Sequence, residues 1–335
     1  MATKGYNSYR GRLSARKKLL TVLLVLVLLG SAVFLLGQDY LVYDGAGNVR
    51  LELPFLDFFR NEEDSETGDL GDVDLTIEEP QRPTIDLLQA QELPSDVLNG
   101  DIQAKLASLP ETVVIQIKQT DGSLTYHPTF VTAKGVRTGD AMTTANLKAI
   151  LESDRYTVAR ISCFADMAFA KADMVGASLQ RDDKWLWYDD YASCWTDPAK
   201  DATREYLQKI CAECVEMGFD EILLDQFSYP VKGRLDRILN VGSIDKTAEL
   251  TEVLASLRQQ LPKITGLSVV LRYNEPEKTG LTMELLQQFD RIYVDTGTVD
   301  MAKLAGQLPA GFDQTTRLVA MVRTAPASGS YMLVQ

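Results

Sequence analysis

From residue 93 onward the apolar positions fall into two alternating patterns. Short, nearly continuous apolar runs at residues 112–118, 156–164, 221–226, 267–272, 291–295, 317–322 and 330–334 read as strands buried on both faces. Between them, residues 144–152, 199–217 and 246–261 carry the three-to-four spacing of amphipathic helices. Strands alternating with helices predict an α/β fold with a parallel sheet, and about seven strands over residues 93–335 predict a TIM-like (β/α) barrel with an incomplete or irregular eighth strand. An open doubly wound sheet is the alternative.

The pattern differs before residue 93. Residues 19–37 read LLTVLLVLVLLGSAVFLLG without a charge, and as a helix they span about 28 Å, the thickness of a bilayer core. Lys4, Arg10, Arg12, Arg16, Lys17 and Lys18 precede the run and Asp39 follows it. This predicts a basic cytoplasmic tail over residues 1–18, a single transmembrane helix over 19–37, and a main domain outside the cytoplasm. A cleaved signal peptide ending near Gly30-Ser31-Ala32 is the competing reading, and Val33 to Leu36 weigh against it by continuing the apolar run. Residues 38–60 contain two short apolar stretches around Asp44-Gly45-Ala46-Gly47-Asn48, the pattern of a β-hairpin. Residues 61–92 begin with nine acidic residues between Glu62 and Glu79 and few apolar ones, which predicts a disordered acidic linker.

The formal net charge is −13, and leaving out the six N-terminal cations lowers it to −19 for the remainder. Such a surface repels nucleic acid, which leaves neutral polymers (carbohydrate or cell-wall polysaccharide among them), cations or basic partners as candidates, with the membrane engaged through the N-terminal helix. Four cysteines do not build a disulfide-dependent fold of this size. Cys211 and Cys214 lie on an apolar helical stripe with Leu207, Ile210 and Val215, the position of buried packing residues; a Cys163–Cys194 disulfide stays open. The single histidine, His127, sits in a loop-like stretch, which excludes paired-histidine zinc chemistry, and no GxSxG elbow accompanies it. Neither a GxGxxG nor a Walker motif occurs, and no metal or cofactor is expected.

In a barrel of this kind reactive groups gather where strands end. Those positions hold Lys118 and Asp121, Asp166, Asp225, Arg272 and Glu275, and Asp295. Two carboxylates flanking a sugar are the minimum for glycoside hydrolysis. Asp225 with Asp166 or Glu275 is the expected catalytic pair, with Lys118, Arg272 and Asp295 around the substrate. Trp185, Trp187 and Trp195 are the only tryptophans, and their clustering beside Tyr188 and Tyr191 marks a candidate sugar-stacking surface. Asp197-Pro198 reads instead as a helix N-cap with a proline at the first helical position.

The stretch Tyr156-Thr157-Val158-Ala159-Arg160-Ile161 through Phe164-Ala165-Asp166, then Trp195-Thr196-Asp197-Pro198, Gly218-Phe219-Asp220-Glu221-Ile222-Leu223-Leu224-Asp225 and Tyr229-Pro230, resembles the putative glycosyl hydrolase domain of bacterial surface proteins. The opening segment from Val113 to Lys118, with Asp121-Gly122 and Leu124-Thr125-Tyr126, fits the same pattern. The resemblance implies a TIM barrel related to the alpha-amylase-type hydrolases, and adds Arg160 and Tyr229 to the expected substrate-binding residues. The chain departs from that pattern at Ala165, where the family carries a lysine, and at Ser228, where it carries an arginine. Asn274-Glu275-Pro276 is similar to the acid/base signature of another group of barrel glycosidases.

Overall fold

The computed structural model describes residues 41–43, 49–51, 85, 87–262 and 265–334. The expected basic tail at 1–18, the transmembrane helix at 19–37 and nearly all of the acidic linker lie outside the described residues. Among the described residues no helix is long and apolar enough to cross a membrane. Where a hairpin was expected, β1 (Leu41–Tyr43) pairs antiparallel with β2 (Val49–Leu51).

Eight parallel strands close into a barrel: β3 (Gln89–Glu92), β4 (Thr112–Lys118), β5 (Tyr156–Ser162), β6 (Glu221–Asp225), β7 (Gly266–Leu271), β8 (Ile292–Asp295), β9 (Leu318–Val322) and β10 (Ser330–Leu333). β10 pairs with β9 on one side and β3 on the other, which excludes the open-sheet alternative. β3 is a correction to the sequence reading, which left residues 89–92 in the linker. Gln89 and Gln91 point outward and are exposed, so the strand carries no apolar run; Ala90 alone, on the inner side, is fully packed. The irregularity lies in the connections instead, since β9 joins β10 through residues 323–329 with no helix.

Alternation along the strands sorts side chains into two layers. Val114, Val158, Leu223, Val270, Tyr293, Val319 and Met332 fill the barrel interior. Val113, Ile115, Ile161, Ile222, Leu224 and Val294 pack outward against the helices, chiefly Ala141–Leu151, Asp201–Met217 and Lys246–Gln260. At the N-terminal end of the strands the interior is polar. There the Glu221 carboxylate, fully buried, pairs with Arg291 and accepts from the hydroxyls of Tyr156 at 2.9 Å and Tyr293 at 3.0 Å.

Many of the acidic residues prove to be helix caps. The side chains of Asp101, Asp140, Asp166, Asp245, Asp300 and Asp313 each accept from first-turn N–H groups. Asp197 is not among them: the helix it was expected to cap begins at Asp201, with Lys200 in the N-cap position. All four cysteines are buried and free, so the Cys163–Cys194 bridge is not formed.

Candidate active site

Strand β6 sends Glu221, Leu223 and Asp225 into the interior at a period of two, from polar floor to packed middle to polar mouth. At the mouth Asp225 lies between two guanidinium groups. Arg160, on β5, donates to Asp225 Oδ2 through Nε at 2.9 Å and Nη2 at 2.7 Å. Arg272, directly after β7, donates through Nε to Oδ1 and through Nη2 to Oδ2, both at 2.8 Å. Each arginine then reaches one more carboxylate: Nη1 of Arg160 pairs with Glu92 at the end of β3, and Nη1 of Arg272 meets Asp295 Oδ2 at the end of β8 at 2.8 Å.

The result is an arc of alternating charge, Glu92–Arg160–Asp225–Arg272–Asp295, built from the C-terminal ends of five strands. Side-chain exposure is lowest at Asp225, 5%, and rises toward both ends of the arc, to 17% at Glu92 and 25% at Asp295. Burial by itself would raise the Asp225 pKa, but Arg160 and Arg272 outweigh it and hold the carboxyl well below the usual range. The backbone N–H of Gln226 adds a further bond to Oδ1 at 2.8 Å. Gln226 itself adopts φ +51°, a left-handed conformation unfavourable for a residue with a side chain.

Of the residues expected at the site, Asp225, Arg160, Arg272 and Asp295 come together. Glu92 joins them unforeseen, because its strand lacks the apolar pattern that would have revealed it. Lys118 and Asp166 sit elsewhere. A β-bulge between Gln116 and Lys118 turns the lysine into the layer between barrel and helices, where its Nζ meets Asp166 Oδ2 at 2.8 Å and donates to the carbonyl oxygens of Ser162 at 2.6 Å and Cys163 at 3.2 Å. Both side chains are essentially inaccessible, and Asp166 also caps the helix Met167–Ala172. Glu275 is exposed and pairs with Lys278, so it is not gathered into the arc. Trp187, Trp195 and Tyr229 are buried, with their polar atoms bonded internally: Trp187 Nε1 to Arg234 O at 2.9 Å, Trp195 Nε1 to Asp189 Oδ2 at 3.0 Å, and the Tyr229 hydroxyl to Glu249. Only Trp185 of the three tryptophans presents its ring to solvent. Among the described residues no cluster of three or more His, Cys, Asp or Glu is arranged to hold a metal.

The model of the family described as "putative glycosyl hydrolase domain" matches residues 101–295, more than half of the chain. The chain belongs to this family. The match runs from just before β4 to the end of β8 and so takes in four of the five members of this glycosyl hydrolase domain's charged arc, leaving out Glu92. Among solved structures, a hypothetical protein from Ruminiclostridium thermocellum is 24% identical over 53% of this chain and 96% of its own, with a TM-score of 0.46. The glycoside hydrolase domain of PelA from Pseudomonas aeruginosa is 17% identical over 70% of this chain and 83% of its own, with a TM-score of 0.41. The noncanonic maltogenic alpha-amylase AmyB from Thermotoga neapolitana is 14% identical over 70% of this chain and 58% of its own, with a TM-score of 0.43. No curated protein matches the chain.

Proposed function

We propose that this glycosyl hydrolase domain cleaves cell-envelope or environmental polysaccharide outside the cytoplasm, held at the membrane by residues 19–37, with Asp225 as its ionised carboxylate and Asp295 as its proton donor. The observation that carries the reading is the Asp225 carboxylate fixed between two guanidiniums in the barrel mouth. A carboxylate held below its usual pKa stays charged at any working pH. It suits the group that faces the oxocarbenium-like transition state, as nucleophile or electrostatic partner, and not the acid. Asp295 is bound by one nitrogen of Arg272 and a quarter exposed, which leaves it the carboxyl best placed to exchange a proton with a leaving group. Because the two acids contact different edges of a single guanidinium, their separation is of the order that glycoside hydrolysis uses, about 5–9.5 Å.

Aryl glycosides separate the two roles. A dinitrophenolate departs without protonation, so Asp295→Asn is expected to keep cleaving dinitrophenyl glycosides while losing polysaccharide, and Asp225→Asn to lose both. Equal loss of both substrates in Asp295→Asn removes it as the acid. The membrane reading predicts that protease added to intact cells expressing the full chain digests the barrel; protection until the membrane is broken contradicts it.

A second reading rests on the same arc. Every carboxylate in it accepts from an arginine, which occupies lone pairs that a proton or a sugar carbon would otherwise meet. A barrel in that state binds glycan without turning it over, and retained binding with no cleavage of any substrate distinguishes it.

A further inference from the structure

The loops that follow β5 and β6 fold over one another at the C-terminal face. Short bridges join Ser178 to Thr196, Gln180 to Leu186 and Tyr188 to Cys194, and Arg181 bridges across to Ile238 in the second loop. The buried indoles of Trp187 and Trp195 pin this arrangement through their bonds to Arg234 O and Asp189. The remaining aromatic residues of the segment are thereby left outside: Trp185 is 59%, Tyr188 51% and Tyr191 71% exposed, and no other Trp, Tyr or Phe among the described residues is exposed. Three exposed rings within seven residues make a local aromatic surface of the kind on which a flat ligand stacks.

Between the two loops lies a cavity of about 260 Å³, lined by Tyr188, Asp189, Asp190, Arg181, Arg234 and Arg237 with Trp187 behind them. Gly233 keeps it open. At φ +98° it tolerates no side chain easily, and an added Cβ would lie 3.0 Å from Asp189 Cα and 3.1 Å from the Trp187 ring. Each arginine of the wall is already paired, Arg181 with Asp183, Arg234 with Asp236 at 2.8 Å and Arg237 with Asp182 at 2.7 Å, and Asp189 and Asp190 add two carboxylates. An anion finds no uncommitted cation there. A neutral ring bearing hydroxyls finds donors, acceptors and a flat aromatic face. The cavity and the arc share one end of the barrel: the loops that enclose the cavity leave β5 and β6, the strands that carry Arg160 and Asp225.

We propose that this cavity is a secondary sugar subsite that takes one neutral pyranose unit of a chain bound at the Asp225 arc, with Tyr188 as its stacking face. The proposal rests on the glycoside hydrolase reading above and assigns it an extended, uncharged glycan as substrate. A site of this kind makes affinity grow with chain length, because a short fragment cannot occupy both places.

The test is calorimetric binding of the full chain to a panel of neutral polysaccharides (laminarin, xylan, dextran and galactomannan), each beside its own disaccharide, with polygalacturonate as the acidic comparison. The expected result is tighter binding of a neutral polymer than of its disaccharide, with Tyr188→Ala removing about three- to tenfold of that gain and Tyr188→Phe retaining it. Melting temperatures of the variants establish that each is folded. If Tyr188→Ala melts like the wild type and keeps the whole gain, the subsite is wrong while the hydrolase reading stands. Preference for polygalacturonate overturns the neutral-unit assignment. A wild-type chain that neither binds nor cleaves any polymer overturns the hydrolase reading, and the subsite with it.

Discussion

Asp225 is fully buried with five donors around one carboxylate, two from Arg160, two from Arg272 and one from the Gln226 backbone. Those donors stabilise the ionised form only. Since the folded-state pKa lies below the ordinary value of 3.8, the stabilisation is complete above about pH 4 and is lost as pH falls through the folded value. Thermal unfolding between pH 7 and pH 2 is therefore expected to show a steep acid limb that begins below pH 4. Asp225→Asn should lower the melting temperature at neutral pH and flatten that limb, because two arginines are then left facing a neutral group. An unchanged acid limb in the variant removes Asp225 as the group responsible. Asp225 was legible in the sequence from its place at the end of a clear apolar strand. Its real partners were only half legible, since Arg160 and Arg272 were expected around substrate and not as the clamp on the carboxylate itself. What sets the clamp is strand register, with Arg160 two residues before the end of β5 and Ser162 opposite Asp225, and register is a long-range property that local pattern does not reveal.

The β4–β5 pair and the elements behind it carry another buried ion pair, Lys118 with Asp166. The loop after β4 closes against the start of the helix Met167–Ala172 so tightly that a Cβ on Gly122, at φ +87°, would fall 2.2 Å from Asp166 Oδ1. Lys118 and Asp166 thus join a strand, a loop and a helix N-terminus. Breaking a buried pair from one side strands a charge and costs about 3–5 kcal/mol, whereas replacing both members by apolar groups is often nearly neutral. In urea unfolding, Lys118→Met and Asp166→Leu are each expected to lose stability on that scale, with the double variant recovering much of it. Strict additivity of the two losses contradicts the coupling. From sequence both residues sat at strand ends and were read as mouth residues. The bulge that turns Lys118 away has no local signature in Gln116-Ile117-Lys118, and the capping role of Asp166 depends on a helix of six residues too short to register as a pattern. The reverse error befell β3, a four-residue strand whose pairing on both sides substitutes for apolar content.

For the whole molecule, the alternation of apolar strands and amphipathic helices was sufficient to anticipate a parallel barrel, and seven of its eight strands stand within two residues of their expected ends. The strand that completes the closure was not legible, because β3 carries no apolar run and meets β10 from more than two hundred residues away. A version of the domain beginning at residue 93 lacks that strand, so functional work belongs on the full chain. The family assignment and the arc support the proposed action on carbohydrate, and the proposed export and membrane anchoring rest on the sequence of residues 19–37 and their basic flank. The most direct measurement is release of reducing ends from isolated bacterial cell wall and from a polysaccharide panel by the full chain, beside its Asp225→Asn variant. Hydrolysis at the arc predicts release by the wild type and none above background by Asp225→Asn; equal release by the two, or none by either, contradicts Asp225 as the catalytic carboxylate of this barrel.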